Sequence, residues 1–228
     1  MKAKAAKAPK ARTLILVVDD HPMMRQGLAA LINNEADLTV CCEAESAAQA
    51  LAAIARGLPD LVIADITLPD KSGIELIKDI QALHPGMRVL VVSMHDEALY
   101  AERVLRAGGR GYIMKQEGGL RLMEGIRQVL AGQIYVSEKM SRRILEIFSG
   151  QRSSTAGTSP VEALTDREFE VFQLIGQGIS TKDIAQKLHL SVKTVEVHRL
   201  HIKDKLHVRT APELIRYAVR WTESQAPA

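Results

Sequence analysis

From Leu14 to about Leu130 the chain alternates two patterns of apolar residues. Short runs rich in β-branched residues, LILVV, LTVCCEA, LVIA, RVLVVS and GYIM, stand between longer stretches whose apolar positions recur with a helical period. Five strands with helical crossovers predict a parallel sheet. Runs such as LILVV and VLVV lack the alternation of a half-exposed strand, so helices are expected on both faces. The fold class that follows is an α/β doubly wound five-stranded parallel sheet, whose ligands gather at the carboxyl ends of the strands.

After Ala131 the pattern weakens, and QRSSTAGTSP has the composition of a flexible linker. A helical pattern resumes near Val161. LTDREFEVFQLIGQG, STKDIAQKLHL, SVKTVEVHRLHIKDKL and RTAPELIRYAVRW read as an all-α domain of four helices with very short turns. Thr165 with Glu168 forms a capping box, Ser180 with Asp183 resembles another, and Ser191 is placed to cap the third helix. The expected organisation is a disordered basic tail over 1-12, a first domain over 13-132, a linker over 133-160 and a second domain over 161-224.

At 228 residues, two small domains can each bury a core. A hydrophobic share of 46% with 25% charged residues is ordinary for a globular protein. No run approaches the roughly 20 apolar residues of a membrane span. The opening MKAKAAKAPKAR lacks the apolar centre of a secretory signal, so a cytoplasmic protein with no membrane partner is expected. The net charge of +3 misleads: subtracting the five charges of Lys2, Lys4, Lys7, Lys10 and Arg12 leaves −2 for the remainder. Overall charge is therefore no argument for nucleic acid. Adjacent Cys41 and Cys42, in an apolar run and with no third cysteine, are expected to be buried reduced thiols.

Charged and polar residues close the apolar runs. Asp19 and Asp20 end the first, Asp65 the third, Ser93 the fourth and Lys115 the fifth, which collects them in one pocket if the strands are parallel neighbours. Hard oxygen ligands at Asp20 and Asp65, with Asp19 assisting, suit Mg²⁺. Lys115 is the natural counter-ion to carboxylates held close together. An acidic cluster with one lysine suits a phosphoryl group, to which the Ser93 hydroxyl can donate a hydrogen bond. That bond is expected to form only once the phosphoryl group is present, as a switch requires. Thr67 and His95, two positions after Asp65 and Ser93, are placed to help or hinder an attacking water, so exchanging them is expected to change the lifetime of the phosphoryl group.

STKDIAQKLHLSVKTVEVHRL has the spacing of a helix-turn-helix, with a tight turn at His189 to Ser191. At about 100° per residue, Val195, His198, Ile202 and Leu206 share the side that packs inward. Lys193, Glu196, Val197 and Leu200 project from the other. On a recognition helix these four face the major groove, with Glu196 able to accept from cytosine N4 and Val197 or Leu200 able to touch a thymine methyl. Lys182, Lys193, Arg199, Lys203 and Lys205 are expected at phosphates, with His201 and His207 nearby.

The ordered set of Asp19 and Asp20, Asp65, Ser93 and Lys115 resembles the receiver domain of two-component response regulators, a flavodoxin-like fold, over about residues 13 to 132. The resemblance implies Asp65 as phosphoacceptor. It also implies Asp20 and Asp65 as Mg²⁺ ligands with the Thr67 carbonyl, Asp19 as acidic support, and Ser93 and Lys115 as phosphoryl contacts. Tyr112 matches the family's switch aromatic, whose ring turns inward as the hydroxyl residue moves toward phosphate, and Pro69 and Gly73 match the loop after the phosphoacceptor. Residues 161 to 224 resemble the LuxR-type DNA-binding domain, although Glu196 stands where many relatives carry a basic residue.

Both halves in this order resemble the NarL/FixJ class. That implies a phosphorylation-controlled transcriptional regulator and not an enzyme, with a sensor histidine kinase, double-stranded promoter DNA and a second copy of itself when phosphorylated as partners. RNA polymerase is a further candidate. Two rival functions remain: an aspartyl phosphatase, whose usual DxD pair is absent here, and a DNA-binding regulator controlled by a protein partner without phosphorylation.

Overall fold

The computed structural model describes residues 12–148 and 160–225. The chain divides into two compact units, Met1–Ser141 and Arg142–Ala228.

In the first unit, strands β1 (Thr13–Val18), β2 (Leu38–Ala44), β3 (Leu61–Ala64), β4 (Arg88–Ser93) and β5 (Gly111–Met114) form one sheet in the order β2-β1-β3-β4-β5. Every pairing is parallel. Helices α1 (Pro22–Asn33), α2 (Ala47–Arg56), α3 (Gly73–Leu83) and α4 (Glu97–Arg106) make the crossovers, and α5 (Gly118–Leu130) follows the last strand. Ile15, Val17, Leu61, Ile63, Leu90 and Val92 pack with Leu28 and Ile32 of α1 and Leu122, Ile126 and Val129 of α5. The alternate residues Leu16, Val62, Ala64, Val89 and Val91 are as deeply buried toward the other face. That double burial explains the unbroken apolar runs, and each such side chain contributes roughly 1.5–3 kcal/mol on leaving water.

Side-chain caps fix where helices start. Ser46 accepts from the Gln49 N–H, Asp96 from that of Ala98, and Ser72 with Glu75 closes a capping box on α3. Asp70 extends this across the fold, accepting from the backbone of Ala47 at 2.9 Å and Ala48 at 2.8 Å. It thereby ties the loop after β3 to the start of α2.

Two expectations need correction. The stretch 133–160 is not all linker. Tyr135 is buried and bridges β5: its N–H donates to Arg110 O at 3.0 Å and its carbonyl accepts from Tyr112 N at 2.8 Å. Helix α6 (Glu138–Phe148) follows. The ring of Tyr135 belongs to the core, which the sequence pattern hides because its apolar run, Ile134 to Val136, is only three residues long. The remainder, 149–159, and residues 1–11 of the tail expected over 1–12 lie outside the described residues. The cysteines also differ from expectation. Cys41 is exposed and Cys42 half-buried, because β2 is an edge strand and its apolar look does not mean cover on both faces.

The second unit contains α7 (Asp166–Gly176), α8 (Thr181–Lys187), α9 (Val192–Lys205) and α10 (Ala211–Gln225). Thr165 and Glu168 form the capping box, and Ser180 and Ser191 cap α8 and α9 by accepting from Asp183 and Thr194. Phe169 and Phe172 of α7 meet Trp221 of α10 with ring centroids 5.5 Å apart. The turn before α9 passes through His189 at φ 53°, a left-handed conformation that lets Leu190 N return to Ala185 O at 2.8 Å.

Candidate functional site

The strand order reverses between β1 and β3, and a crevice opens there at the strands' carboxyl ends. Asp19 follows β1 with its N–H on Ala44 O, and Asp65 follows β3 with its N–H on Val18 O. Both are buried, as are Ser93 and the Lys115 side chain. Asp65 Oδ1 accepts from Ser93 Oγ and from its neighbour's backbone, Ile66 N, each at 2.6 Å. Asp65 Oδ2 accepts from Lys115 Nζ at 2.6 Å, and the same ammonium lies 2.7 Å from Asp19 Oδ2. Burial acts to lower the Lys115 pKa, but the charge of Asp65 and the bonds to Asp19 and Asp65 outweigh it and hold the ammonium above the usual lysine range.

Asp20 is slightly more open and meets His21 Nδ1 at 2.7 Å. Oxygen atoms of Asp19, Asp20 and Asp65 and a ring nitrogen of His21 lie within 4.8 Å of one another. Three carboxylates against one ammonium leave an excess of two negative charges, which matches a divalent cation. The hard oxygen donors fit Mg²⁺ or a similar ion.

The loop after Asp65 comes unusually close to it. A Cβ on Gly73 would lie 2.0 Å from the Asp65 carbonyl oxygen, while Gly73 N donates to Ile66 O at 2.7 Å. Glycine is needed here for close approach, which its place in a turn-like sequence did not reveal. Thr67 Oγ1 and His95 Nε2 are 2.9 Å apart, and the His95 ring lies against Tyr100 at 4.7 Å. The Tyr112 ring is buried and its hydroxyl donates to His95 O at 2.8 Å. Burial pushes that phenol well above its ordinary pKa, so it remains a donor.

The Ser93 hydroxyl, expected to bond a phosphoryl oxygen once one is present, already has an acceptor in the carboxylate of Asp65. Residues missed from the sequence include Arg25, which donates to the Asp19 carbonyl oxygen at 2.6 Å and pairs with Glu43 at 3.4 Å. Their spacing along the chain carries no signal of this meeting.

In the second unit, α8 and α9 form the helix-turn-helix. Val195, Ile202 and Leu206 are buried, whereas Lys193, Glu196, Val197 and Leu200 are exposed together. Lys182 is exposed and Lys203 half-buried. Arg199 departs from expectation, since its side chain is 14% exposed, donating to Thr181 Oγ1 at 3.2 Å and lying 3.8 Å from Glu196. Lys205 departs further: its ammonium is 2.6 Å from Glu168 of α7, where it holds the bundle.

Comparison with known proteins now decides the family. The chain matches the response regulator receiver domain over residues 15–127 and the bacterial regulatory proteins of the luxR family over residues 162–218. It is 33% identical over 210 residues to oxygen regulatory protein NreC of Staphylococcus epidermidis, covering 90% of this chain and 96% of that one. The chain is a LuxR-type response regulator. NreC of Staphylococcus aureus is 35% identical over 209 residues, with the same coverage of both chains. Among solved structures, a LuxR-family response regulator from Aurantimonas sp. SI85-9A1 aligns with TM-score 0.57 and 32% identity, covering 61% of this chain and 99% of that one. RcsB of Salmonella enterica serovar Typhimurium, bound to promoter rprA with the phosphomimetic BeF₃⁻, aligns with TM-score 0.59 and 25% identity over 91% of this chain and 98% of that one.

The response regulator is therefore a DNA-binding transcription regulator of a two-component system, and its family is not one of enzymes. Among the described residues no helix is long and apolar enough to cross a membrane.

Proposed function

We propose that a partner histidine kinase phosphorylates Asp65 and that this modification controls promoter binding by the second unit. The observation that carries the reading is the ring of donors on Asp65: Ser93 Oγ, Ile66 N and Lys115 Nζ, each at 2.6 Å. Donors so placed are within reach of the oxygens of a phosphoryl group as soon as one is attached.

In the transfer, an Asp65 carboxylate oxygen forms a bond to phosphorus while the bond from phosphorus to the donor nitrogen breaks, and the leaving imidazole takes up a proton. Asp20, Asp65 and the Thr67 carbonyl, with Asp19 in support, would hold Mg²⁺, which would supply positive charge between the two anions. Lys115 follows the new charge. It gives up part of its contact with the carboxylates for a phosphoryl oxygen. Ser93 exchanges one acceptor for another, and Tyr112 beneath it holds His95 in place. Thr67 and His95, bonded to each other, form a lip across which an attacking water must pass and so set the lifetime of the modified state.

On the output side, Lys193, Glu196, Val197 and Leu200 present a mixed polar and apolar edge suited to the major groove, with Lys182 and Lys203 beside phosphates. A phosphorylated homodimer places two such helices on neighbouring half-sites and gains effective concentration over a single copy. RNA polymerase is the candidate partner for the DNA-bound dimer, and the protein is assigned to the cytoplasm, where its kinase and its DNA meet.

A second reading, DNA binding governed by a protein partner without phosphate, is compatible with the same pocket, in which Ser93 is bonded to Asp65 and Tyr112 is buried. Incubation with acetyl phosphate and Mg²⁺ discriminates the two. The first reading expects intact mass to rise by one HPO₃ group and promoter affinity to rise with it, both lost in Asp65→Asn. An Asp65→Asn protein with unaltered promoter response sinks it.

A further inference from the structure

Consecutive residues of a regular strand point to opposite faces of the sheet. Cys41 and Cys42 do not. The register between β1 and β2 slips between Ile15, which faces Val40, and Leu16, which faces Cys42, leaving Cys41 as the extra residue of a bulge. Bulges re-aim side chains, and this one brings the two sulfurs to 3.1 Å. Cys41 is exposed on the edge strand, and its thiol also reaches Ile15 O at 3.5 Å. The sequence contains no other cysteine, so no competing pairing exists within the chain.

We propose that Cys41 and Cys42 are a redox modification site, a vicinal dithiol that a small-molecule disulfide converts to a disulfide between the two neighbours. The first cysteine sulfur attacks the oxidant, forming a mixed disulfide and releasing one thiol. The second sulfur then attacks the protein-side sulfur of that mixed disulfide, closes the ring and releases the second thiol. The protein loses two electrons and two protons, and both appear in the two released thiols.

Partial desolvation of its sulfur, then the hydrogen bond and charge of Cys42, push the Cys41 thiol up to about 12. The closed ring also has a route to the pocket. Ala44, two residues beyond Cys42, accepts the Asp19 N–H at 3.1 Å, and Glu43 holds Arg25, which is bonded to the Asp19 carbonyl.

The test uses the full-length reduced protein and oxidised glutathione, read by intact mass and by amide exchange. The wild type is expected to lose two hydrogens and retain no glutathione, while Cys41→Ser and Cys42→Ser each stop at one glutathione adduct. Exchange at the Asp19 amide is expected to become several-fold faster on oxidation, and to be unchanged in Cys41→Ser under the same treatment. A wild type that keeps glutathione, or that links two chains instead, overturns the site. A closed disulfide with unchanged Asp19 exchange overturns the route to the pocket. Neither readout depends on phosphorylation, so failure here leaves the reading of Asp65 standing.

Discussion

Lys115 is the residue on which the acidic pocket turns. Its ammonium lies within 2.7 Å of both Asp19 and Asp65, in a place closed to water, and is the cation of that pair. Replacing it with methionine keeps the length and removes the charge, leaving two buried carboxylates facing each other. Breaking a buried pair by removing one partner costs about 3 kcal/mol. Lys115→Met is therefore expected to lower the stability of the first unit by that order, and Mg²⁺ is expected to restore more stability to the variant than it adds to the wild type. Urea unfolding followed by circular dichroism, with and without Mg²⁺, checks both; equal Mg²⁺ effects in the two proteins would argue against a shared electrostatic site.

The elements were more legible than their joints. Each central strand announced itself as an unbroken apolar run, and the starts of α7, α8 and α9 as Thr or Ser before a periodic stretch, because burial on both faces and capping are local demands. Contacts between elements distant in sequence left no such trace. Lys205 looked like a phosphate contact because α9 carries many cations, yet its partner is Glu168, 37 positions earlier on α7. Cys41 and Cys42 looked buried because LTVCC is apolar, but position at the sheet edge is a property of topology, not of composition.

The Glu168 pair makes a pH prediction for the second unit. Burial acts to raise this carboxyl, but the hydrogen bonds from Lys205 and the Thr165 backbone outweigh it and hold its pKa below the usual range. A depressed folded-state value means the contribution is complete above the unfolded value of about 4.3 and is lost as pH falls through the folded one. Glu168→Gln is expected to cost about 1.5–3 kcal/mol at neutral pH, the range for hydrogen bonds to charged groups. That difference should shrink as acid protonates the wild type. Trp221, the one tryptophan of the chain, packs on Phe169 and Phe172 and reports unfolding of this unit by its fluorescence. A cost that stays constant through the acid range would show that charge is not its source.

At the scale of the whole molecule, the question is how an event at Asp65 leaves the sheet. Tyr112 connects the pocket to β5, and the backbone of β5 is bridged on its outer side by Tyr135. Two residues on, Ser137 N donates at 2.7 Å to Glu97, a buried carboxylate in the first turn of α4. Helix α4 itself follows directly from Ser93 and His95, so both arms of the pocket converge on the segment that opens α6. Among the bonds that hold this segment, the one to Glu97 is charge-assisted and worth about 1.5–3 kcal/mol. Glu97→Ala is expected to release it without touching Asp65. Phosphorylation of Asp65 by acetyl phosphate should proceed at the wild-type rate, whereas the gain in promoter affinity on phosphorylation should fall several-fold and amide exchange over residues 135–141 should rise. If exchange rises and the affinity gain survives intact, the signal leaves the first unit by another face, and Glu97 is a structural cap only.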